Sequence, residues 1–135
     1  MTPEALAELH ARCFTDAPPP WTAAAFAGLL GSTGCRLHSI DDGFLLARHA
    51  GSEAEILTIA VAPEKRRRGL ARLLMERFES AAREDGAREA FLEVSERNAG
   101  AAALYAKRGF HIIARRPVYY ADGSDALIMR KGLEG

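Results

Sequence analysis

Residues 56–72 have the sequence ILTIAVAPEKRRRGLAR. Aliphatic and β-branched side chains fill the first part, which predicts a β-strand that ends near Ala62, because Pro63 has no amide hydrogen to donate to a sheet. Apolar residues then recur at helical spacing, which predicts a helix from near Gly69 to Gly86, with a left-handed cap at its end. The polar side of that helix is predicted to carry Arg72, Glu76, Glu79 and Arg83.

The loop between this strand and this helix is strongly basic. The first turn of a helix has amide hydrogens without partners inside the helix, and Gly69 and Ala71 leave that backbone uncovered. Three arginines precede the turn and add permanent charge, so the loop suits a diphosphate better than a lone carboxylate. A turn that only exposes its charges to solvent is the alternative. The three basic residues are Arg66, Arg67 and Arg68.

Two common nucleotide-binding loops do not fit this position. Leu70 and Ala71 follow Gly69, where a Walker loop has a lysine and a hydroxyl residue. The glycine spacing also differs from the GxGxxG pattern of Rossmann domains. The loop therefore argues against a nucleoside triphosphatase and against a Rossmann dehydrogenase.

Length and composition indicate a globular protein with one domain over residues 1–135, since 48% apolar and 27% charged residues are ordinary values. Cys13 and Cys35 lack CxxC spacing, and the chain has neither a leader sequence nor an apolar run of membrane-spanning length. We therefore expect a reduced, cytoplasmic protein without a membrane segment. The histidines have no paired-ligand spacing, which predicts no metal site. They are His10, His38, His49 and His111.

Capping and turn residues divide the rest of the chain. Thr2 and Thr22 are predicted to cap two helices near the N-terminus, and Asn98 a later helix from Ala99 to Arg108. An Asp-Gly turn at residues 41–43 is typical of an antiparallel hairpin. The predicted strands are residues 35–40, 43–50, 56–62, 88–95, 110–115 and 126–131.

The strand at residues 88–95 follows the central helix and so closes a strand, helix, strand unit. Such units are right-handed parallel crossovers, which places this strand in the same sheet as residues 56–62. We expect an α/β fold with a mixed, mostly antiparallel sheet, one parallel strand pair and helices on both faces. Glu93 lies near the end of the strand where open α/β sheets bind ligands, although a glutamate facing solvent is the alternative. Tyr105 alone would be assigned to the core.

The sequence RRRGLA at residues 66–71 resembles the acyl-CoA pyrophosphate loop of the GNAT family of N-acetyltransferases. Its pattern there is Gln or Arg, two residues, Gly, one residue, then Gly or Ala. Further segments resemble the RimI-type branch, which acetylates the N-terminal alanine of a small-subunit ribosomal protein. These segments are Leu92-Glu93-Val94, Asn98 through Leu104, Tyr105 with Gly109-Phe110, and Tyr119-Tyr120 through Asp122-Gly123 to Ile128-Met129.

The resemblance implies a GNAT-like domain that uses acetyl-CoA as co-substrate, needs no metal and acetylates a protein N-terminus by direct attack in a ternary complex. It implies Glu93 as general base and Tyr105 as general acid. Backbone groups of the central strand would bind the pantetheine and acetyl group, and the basic loop the pyrophosphate. The implied cofactor-binding residues are Ile59, Ala60, Val61, Arg66, Arg67, Arg68, Gly69, Leu70, Ala71, Arg72 and Asn98.

Three other functions stay open at this point. A GNAT enzyme for a small-molecule amine would have a closed, acid-lined acceptor cleft, whereas a peptide needs a groove. An acyl-CoA-binding module would bind without turnover. An RNA-binding module would use the arginines for phosphates, but aromatic residues are absent around residues 64–72. Residues 18–21 are predicted either to pack or to line the acceptor cleft, and the sequence leaves open whether Tyr119 and Tyr120 line it.

Overall fold

The computed structural model describes residues 1–13, 21–66 and 68–133. Within these residues the chain forms four α-helices, six β-strands and a short 3₁₀ helix over Pro63–Lys65. The helices are α1 (Pro3–Cys13), α2 (Ala23–Leu30), α3 (Leu70–Glu84) and α4 (Ala99–Lys107). The strands are β1 (Cys35–Ile40), β2 (Gly43–Ala50), β3 (Glu53–Val61), β4 (Glu89–Ser95), β5 (His111–Arg116) and β6 (Ala126–Gly132).

The six strands form a mixed sheet in the order β1-β2-β3-β4-β6-β5. Strands β3 and β4 are parallel, and each of the other neighbouring pairs is antiparallel. The predicted parallel pair and the mostly antiparallel sheet are therefore confirmed. The hairpin turn between β1 and β2 also forms as expected, with Asp41 at a φ of 52°, a conformation that aspartate tolerates better than most residues.

Helices cover both faces of the sheet, as predicted. Leu74 and Phe78 of α3 and Tyr105 of α4 pack in one buried cluster. Leu6 of α1 and Phe26 of α2 pack in a second buried cluster on the opposite face. Each helix thus buries its apolar side against the sheet, which is where removal of apolar surface from water stabilises the fold.

A β-bulge in β3 changes which side chains face which helices. Leu46 of β2 is paired with Thr58 and Ala47 with Ile56, so Leu57 is an extra residue on β3. Ile56 packs in the cluster of α3 and α4. Thr58 instead bonds to α1, although regular alternation would place residues two apart on the same face. Because of the bulge, Ile56 and Thr58 face opposite sides of the sheet although they are two residues apart.

Helix α3 begins and ends at the predicted glycines, but its polar side differs from the prediction. Gly69 and Gly86 have φ values of 76° and 88°, in the left-handed region that favours glycine. Glu79, expected on the exposed side, is buried with 2% of its surface exposed. That expectation was wrong because Arg108 and Lys131, distant in sequence, cover the carboxylate.

Glu79 accepts hydrogen bonds from both of these cations. Its Oε2 lies 3.0 Å from Arg108 Nη2, and its Oε1 lies 2.5 Å from Lys131 Nζ. Arg83, one turn along α3, lies 3.7 Å from the same carboxylate. This network ties α3 to β6 and to the C-terminal end of α4.

We expect Glu79→Gln to lower the free energy of unfolding by about 3 kcal/mol, since it removes the buried charge that pairs with the partly buried Arg108 and Lys131. The matched control is Glu76→Gln, one turn earlier on α3, whose side chain is 44% exposed. It should cost less than about 1 kcal/mol, as exposed ion pairs contribute little. Urea unfolding measures both values. Equal losses in the two variants would contradict a special role for the buried network.

Candidate active site

The site begins where β3 and β4 stop pairing. Their parallel ladder runs from the pair Glu53 and Glu89 to the pair Ile56 and Leu92. Strand β3 continues to Val61 and stays paired with β2 on its other side. In the described part of the chain, the edge of β3 that faces β4 therefore has no strand partner over residues 57–61. Apart from the Val61 carbonyl, which accepts from Arg66 and Cys13, main-chain groups along this edge can bond to a ligand.

A cavity of about 900 Å³ lies against this part of β3, and we call it the loop cavity. It brings together three groups of predicted residues: the end of β3, the basic loop with the start of α3, and the start of α4. Arg68 is exposed and does not line it, and Arg67 lies outside the described residues. The predicted residues that line the loop cavity are Ile59, Ala60, Val61, Arg66, Gly69, Leu70, Ala71, Arg72 and Asn98.

The backbone at the start of α3 is open toward the loop cavity. Gly69 is the N-cap residue and makes no side-chain cap, so no side chain of that residue occupies the first-turn amides. A Cβ added at Gly69 would lie 3.6 Å from Arg72 Nη2 and would need a φ of 76°, which is unfavourable for other residues. Arg66 Nε donates to the Val61 carbonyl at 3.2 Å. This arrangement of bare amides and guanidinium groups suits an anion.

Sequence reasoning missed several residues that line the loop cavity. Lys107 does so from α4, three residues after Leu104 and seven after Gly100, which puts all three on one side of the helix. This helical spacing was the sequence signal that could have predicted Lys107 on the same side of α4 as Gly100 and Leu104. Cys13 of α1 also lines the loop cavity, and its thiol donates to the Val61 carbonyl at 3.3 Å.

A second cavity of about 620 Å³ contains both predicted catalytic residues, and we call it the glutamate cavity. It lies between the diverging ends of β3 and β4, with Glu93 on β4 and Tyr105 on α4 in its lining. The loop cavity and the glutamate cavity share a wall. The residues that line both are Ile59, Asn98, Ala101 and Tyr105.

Glu93 points away from the core. Its neighbours Leu92 and Val94 are buried in the cluster of α3 and α4, so alternation along β4 turns Glu93 to the opposite face. The carboxylate is 35% exposed and lies 3.3 Å from Arg116 Nη2. Glu93 is therefore a partly exposed carboxylate in the cavity, held by an ion pair to the end of β5.

Tyr105 belongs both to the core and to the cavities. Its residue surface is 6% exposed, and its ring packs edge-on against Phe110 with centroids 6.2 Å apart. Burial raises the pKa of Tyr105 above its ordinary value. The hydroxyl therefore stays protonated at neutral pH, which is the state a proton donor needs.

The N-cap of α4 is formed by Asn98, as predicted. Its side-chain oxygen accepts a hydrogen bond from the Ala101 amide at 3.2 Å. Since both residues line both cavities, this cap fixes the start of α4 at the shared wall.

The long connection between β5 and β6 contributes an aromatic wall. Tyr119 and Tyr120 both line the glutamate cavity. The guanidinium of Arg116 lies 5.2 Å from the ring centroid of Tyr119. Ser124 anchors the loop through a hydrogen bond of 3.0 Å between its hydroxyl and that of Ser95 at the end of β4.

Trp21 lines the same cavity from the side of α2 and also packs. Its ring stacks on His10 with centroids 5.2 Å apart and lies 5.4 Å from Phe26. Trp21 therefore packs against α1 and α2 and also forms part of the cavity wall. Residues 18–20 of the same segment lie outside the described residues.

The described residues show neither a cluster of metal ligands nor a membrane-spanning helix. Within residues 1–13, 21–66 and 68–133, no group of three or more His, Cys, Asp or Glu side chains is arranged to hold a metal ion. Over the same ranges, every helix is too short or too polar to cross a bilayer.

Comparison with known proteins gives matches over most of the chain. The family model described as Acetyltransferase (GNAT) family matches residues 3–110. The ribosomal protein bS18-alanine N-acetyltransferase of Escherichia coli K12 is 34% identical over 117 residues, which are 82% of this chain and 79% of that protein. The crystal structure of the ribosomal-protein-S18-alanine N-acetyltransferase from Escherichia coli gives a TM-score of 0.86 at 28% identity, covering 98% of this chain and 88% of that chain.

A protein of Mycobacterium leprae is 38% identical over 128 residues, which are 87% of this chain. The match spans 35% of that relative's own length. This chain therefore corresponds to about a third of the mycobacterial protein.

Proposed function

Because this chain belongs to the GNAT family and is an acetyl-CoA-dependent N-acetyltransferase, we propose that its acceptor is a protein N-terminus, specifically the N-terminal alanine of a small-subunit ribosomal protein. The observation that carries the proposal is the shared wall of the two cavities at Ile59 and Tyr105, with Glu93 in the glutamate cavity. A donor in the loop cavity and an acceptor in the glutamate cavity would meet there. Such an acceptor places the reaction in the cytoplasm.

In this proposal acetyl-CoA occupies the loop cavity. The pyrophosphate would lie on the first-turn amides of α3, with Arg66 and Arg72 supplying positive charge. The pantetheine arm would bond to the edge of β3 that faces β4, as an added strand does in β-augmentation. That route brings the thioester to the shared wall at Ile59 and Asn98.

The acceptor amine must lose a proton before it can attack. An N-terminal ammonium has a pKa of about 7.7 to 8.0, so most of it is charged near neutrality. We assign Glu93 as the general base that takes this proton, directly or through a water. The amine nitrogen then bonds to the thioester carbonyl carbon, and the resulting oxyanion is stabilised by a main-chain amide of β3.

Collapse of the tetrahedral intermediate breaks the carbon–sulfur bond and releases the coenzyme thiolate. We assign Tyr105 as the acid that protonates it, because the Tyr105 side chain lines both cavities and carries a hydroxyl that is protonated at neutral pH. The products are the acetylated amine and coenzyme A.

Direct transfer in a ternary complex fits the position of the cysteines. The Cys13 thiol is hydrogen-bonded to the Val61 carbonyl, and Cys35 is on β1, away from both cavities. An acetyl-cysteine intermediate would need a base beside the thiol, and the described hydrogen bonds place none beside Cys13 or Cys35. The mechanism therefore uses one transfer step and no covalent enzyme intermediate.

A peptide acceptor fits the cavity better than a small amine does. The glutamate cavity shares Glu55, Leu92 and Glu93 with a third cavity of about 320 Å³. The third cavity continues between Arg48 and Arg116, so the space past Glu93 is a groove and not a closed pocket. A groove accommodates the residues that follow an N-terminal amine, whereas a small amine would leave most of it empty.

Gly69→Val should weaken acetyl-CoA binding tenfold or more, by about 1.4 kcal/mol, since a branched side chain distorts the left-handed N-cap and crowds the loop. Gly51→Val is the matched control, because Gly51 also has a positive φ but lies in the turn between β2 and β3 with open space around it. Both variants should lose stability, and only the first should lose affinity in calorimetric titration. Equal acetyl-CoA affinity in the two folded variants would remove the loop from the cofactor site.

Tyr105→Phe keeps the ring and its packing against Phe110 but removes the proposed acid. We expect kcat to fall by about 10² to 10⁴, with acetyl-CoA affinity nearly unchanged. Thermal melting accompanies the kinetics. A variant that loses turnover only in proportion to its unfolded fraction would assign Tyr105 to the core alone.

Glu93→Gln should lower turnover at pH 7 by about 10² or more on a peptide that begins with alanine. Part of the loss should return as the pH rises through the amine pKa of about 8, because the amine then deprotonates without help. Glu89→Gln is the matched control, since Glu89 lies on the same face of β4, is paired with Arg130 and lies outside the cavities described above. Its rate should match that of the wild type.

The same pH–rate profiles test the acceptor. A peptide whose only amine is an internal lysine should react far more slowly, since a lysine pKa near 10.4 leaves less neutral amine at pH 7. Equal acetylation of the two peptides, or wild-type rates for Glu93→Gln, would overturn the N-terminal mechanism. Tight acetyl-CoA binding without turnover on any amine would leave only an acyl-CoA-binding module.

A further inference from the structure

A buried polar group borders the glutamate cavity, and the mechanism above does not use it. His10 of α1 is 1% exposed, and Thr58 of β3 is 8% exposed. Both line the glutamate cavity together with Trp21, which precedes α2. The three residues come from three different elements, and their side chains meet on the side of the cavity formed by α1 and α2.

The hydrogen bonds of His10 fix its tautomer. The main-chain N–H of Trp21 donates to Nδ1 at 3.1 Å, so Nδ1 carries no proton. The proton is therefore on Nε2, which lies 3.1 Å from Thr58 Oγ1 and donates to it. Burial also lowers the pKa of His10 to about 4, which keeps the ring neutral near pH 7.

Aromatic contacts fix the orientation of the same ring. The imidazole is stacked on the indole of Trp21, with an interplanar angle of 21°, and meets Phe26 edge-on at 5.6 Å between centroids. Since Thr58 precedes Ile59, which lines both cavities, His10 connects Trp21 to the strand that bounds the shared wall. The indole is thus held at a set distance from the place of reaction.

The wall that Trp21 forms has an aromatic counterpart. Tyr119 and Tyr120 line the same cavity from the loop between β5 and β6. In a peptide acceptor, the side chain of the first residue is bonded to the same carbon that bears the reacting amine. Its size is therefore limited by the walls nearest to Glu93 and Tyr105.

We propose that His10 is a positioning residue that holds Trp21 as a wall of the glutamate cavity and thereby restricts the acceptor to a small first residue. The inference rests on the proposed function, because it concerns the N-terminal residue of the acceptor. It gives a buried histidine outside the catalytic pair a role in selecting the acceptor.

The test uses the full chain and two substitutions of His10. His10→Phe keeps a ring of similar shape but removes both hydrogen bonds. His10→Asn keeps a short side-chain oxygen that can accept from the Trp21 amide. The matched control is His111→Phe, which makes the same change at an exposed position on β5.

Steady-state kinetics on two peptides that differ only in a first alanine or leucine give the main readout. We expect the preference for alanine in kcat/KM to fall by about tenfold in His10→Phe, a size typical of discrimination between aliphatic side chains. The change should appear in KM, with kcat and acetyl-CoA affinity nearly unchanged, since neither His10 nor Trp21 lines the loop cavity. His10→Asn should recover part of the preference, and His111→Phe should keep all of it.

Tryptophan fluorescence gives a second readout that does not depend on turnover. The chain has one tryptophan, so its emission reports Trp21 alone. Quenching by acrylamide should increase at least twofold in His10→Phe and should not change in His111→Phe. If His10→Phe does not fold, Thr58→Val removes the partner of Nε2 with little change of shape and takes its place in both measurements.

The outcomes separate the two proposals. A wild-type protein that acetylates no N-terminal peptide overturns the proposed function, and the size selection with it. An active wild type whose preference for alanine, or whose Trp21 quenching, is unchanged in folded His10→Phe overturns the role of His10 alone. A lost preference that His10→Asn partly restores supports that role.

Discussion

Parallel pairing between β3 and β4 over only four residue pairs is the constraint on which the rest of the site depends. Two parallel strands that stayed paired to their ends would satisfy each other's main-chain groups and leave no space between them. Here β4 bonds to β6 along its full length, while β3 continues along β2. The space that opens between them contains the loop cavity and the glutamate cavity, which share Ile59 and Tyr105.

The bulge at Leu57 reverses the face of the sheet to which the later side chains of β3 point. Past the bulge, Thr58 bonds to α1, while Ile59 is packed against the cluster of α3 and α4 and lines both cavities. A regular strand would have reversed these directions, because side chains alternate strictly between faces. The strand edge is therefore open to a ligand, while its α1 side supports the wall of the glutamate cavity.

Ion pairs connect the elements that surround the two cavities. Glu79 connects α3 to Arg108 at the end of α4 and to Lys131 of β6. Arg116 connects the end of β5 to Glu93 on β4. The first network has a buried carboxylate at its centre and links α3 to the end of the helix that carries Tyr105. The second is partly exposed, so its effect is on the orientation of the carboxylate more than on stability.

The sequence by itself determined the elements, the parallel pair and the residues of the basic loop, because periodicity, capping residues and turn chemistry act within about ten residues. It also singled out Glu93 and Tyr105, through their place in a strand and a helix and through the resemblance of their motifs. Only the tertiary structure decided that Glu79 is buried and that Lys107 lines the loop cavity. Only it decided that His10 lies between Thr58 and Trp21. Periodicity shows which side of its own element a residue occupies, whereas these contacts depend on which distant element covers that side.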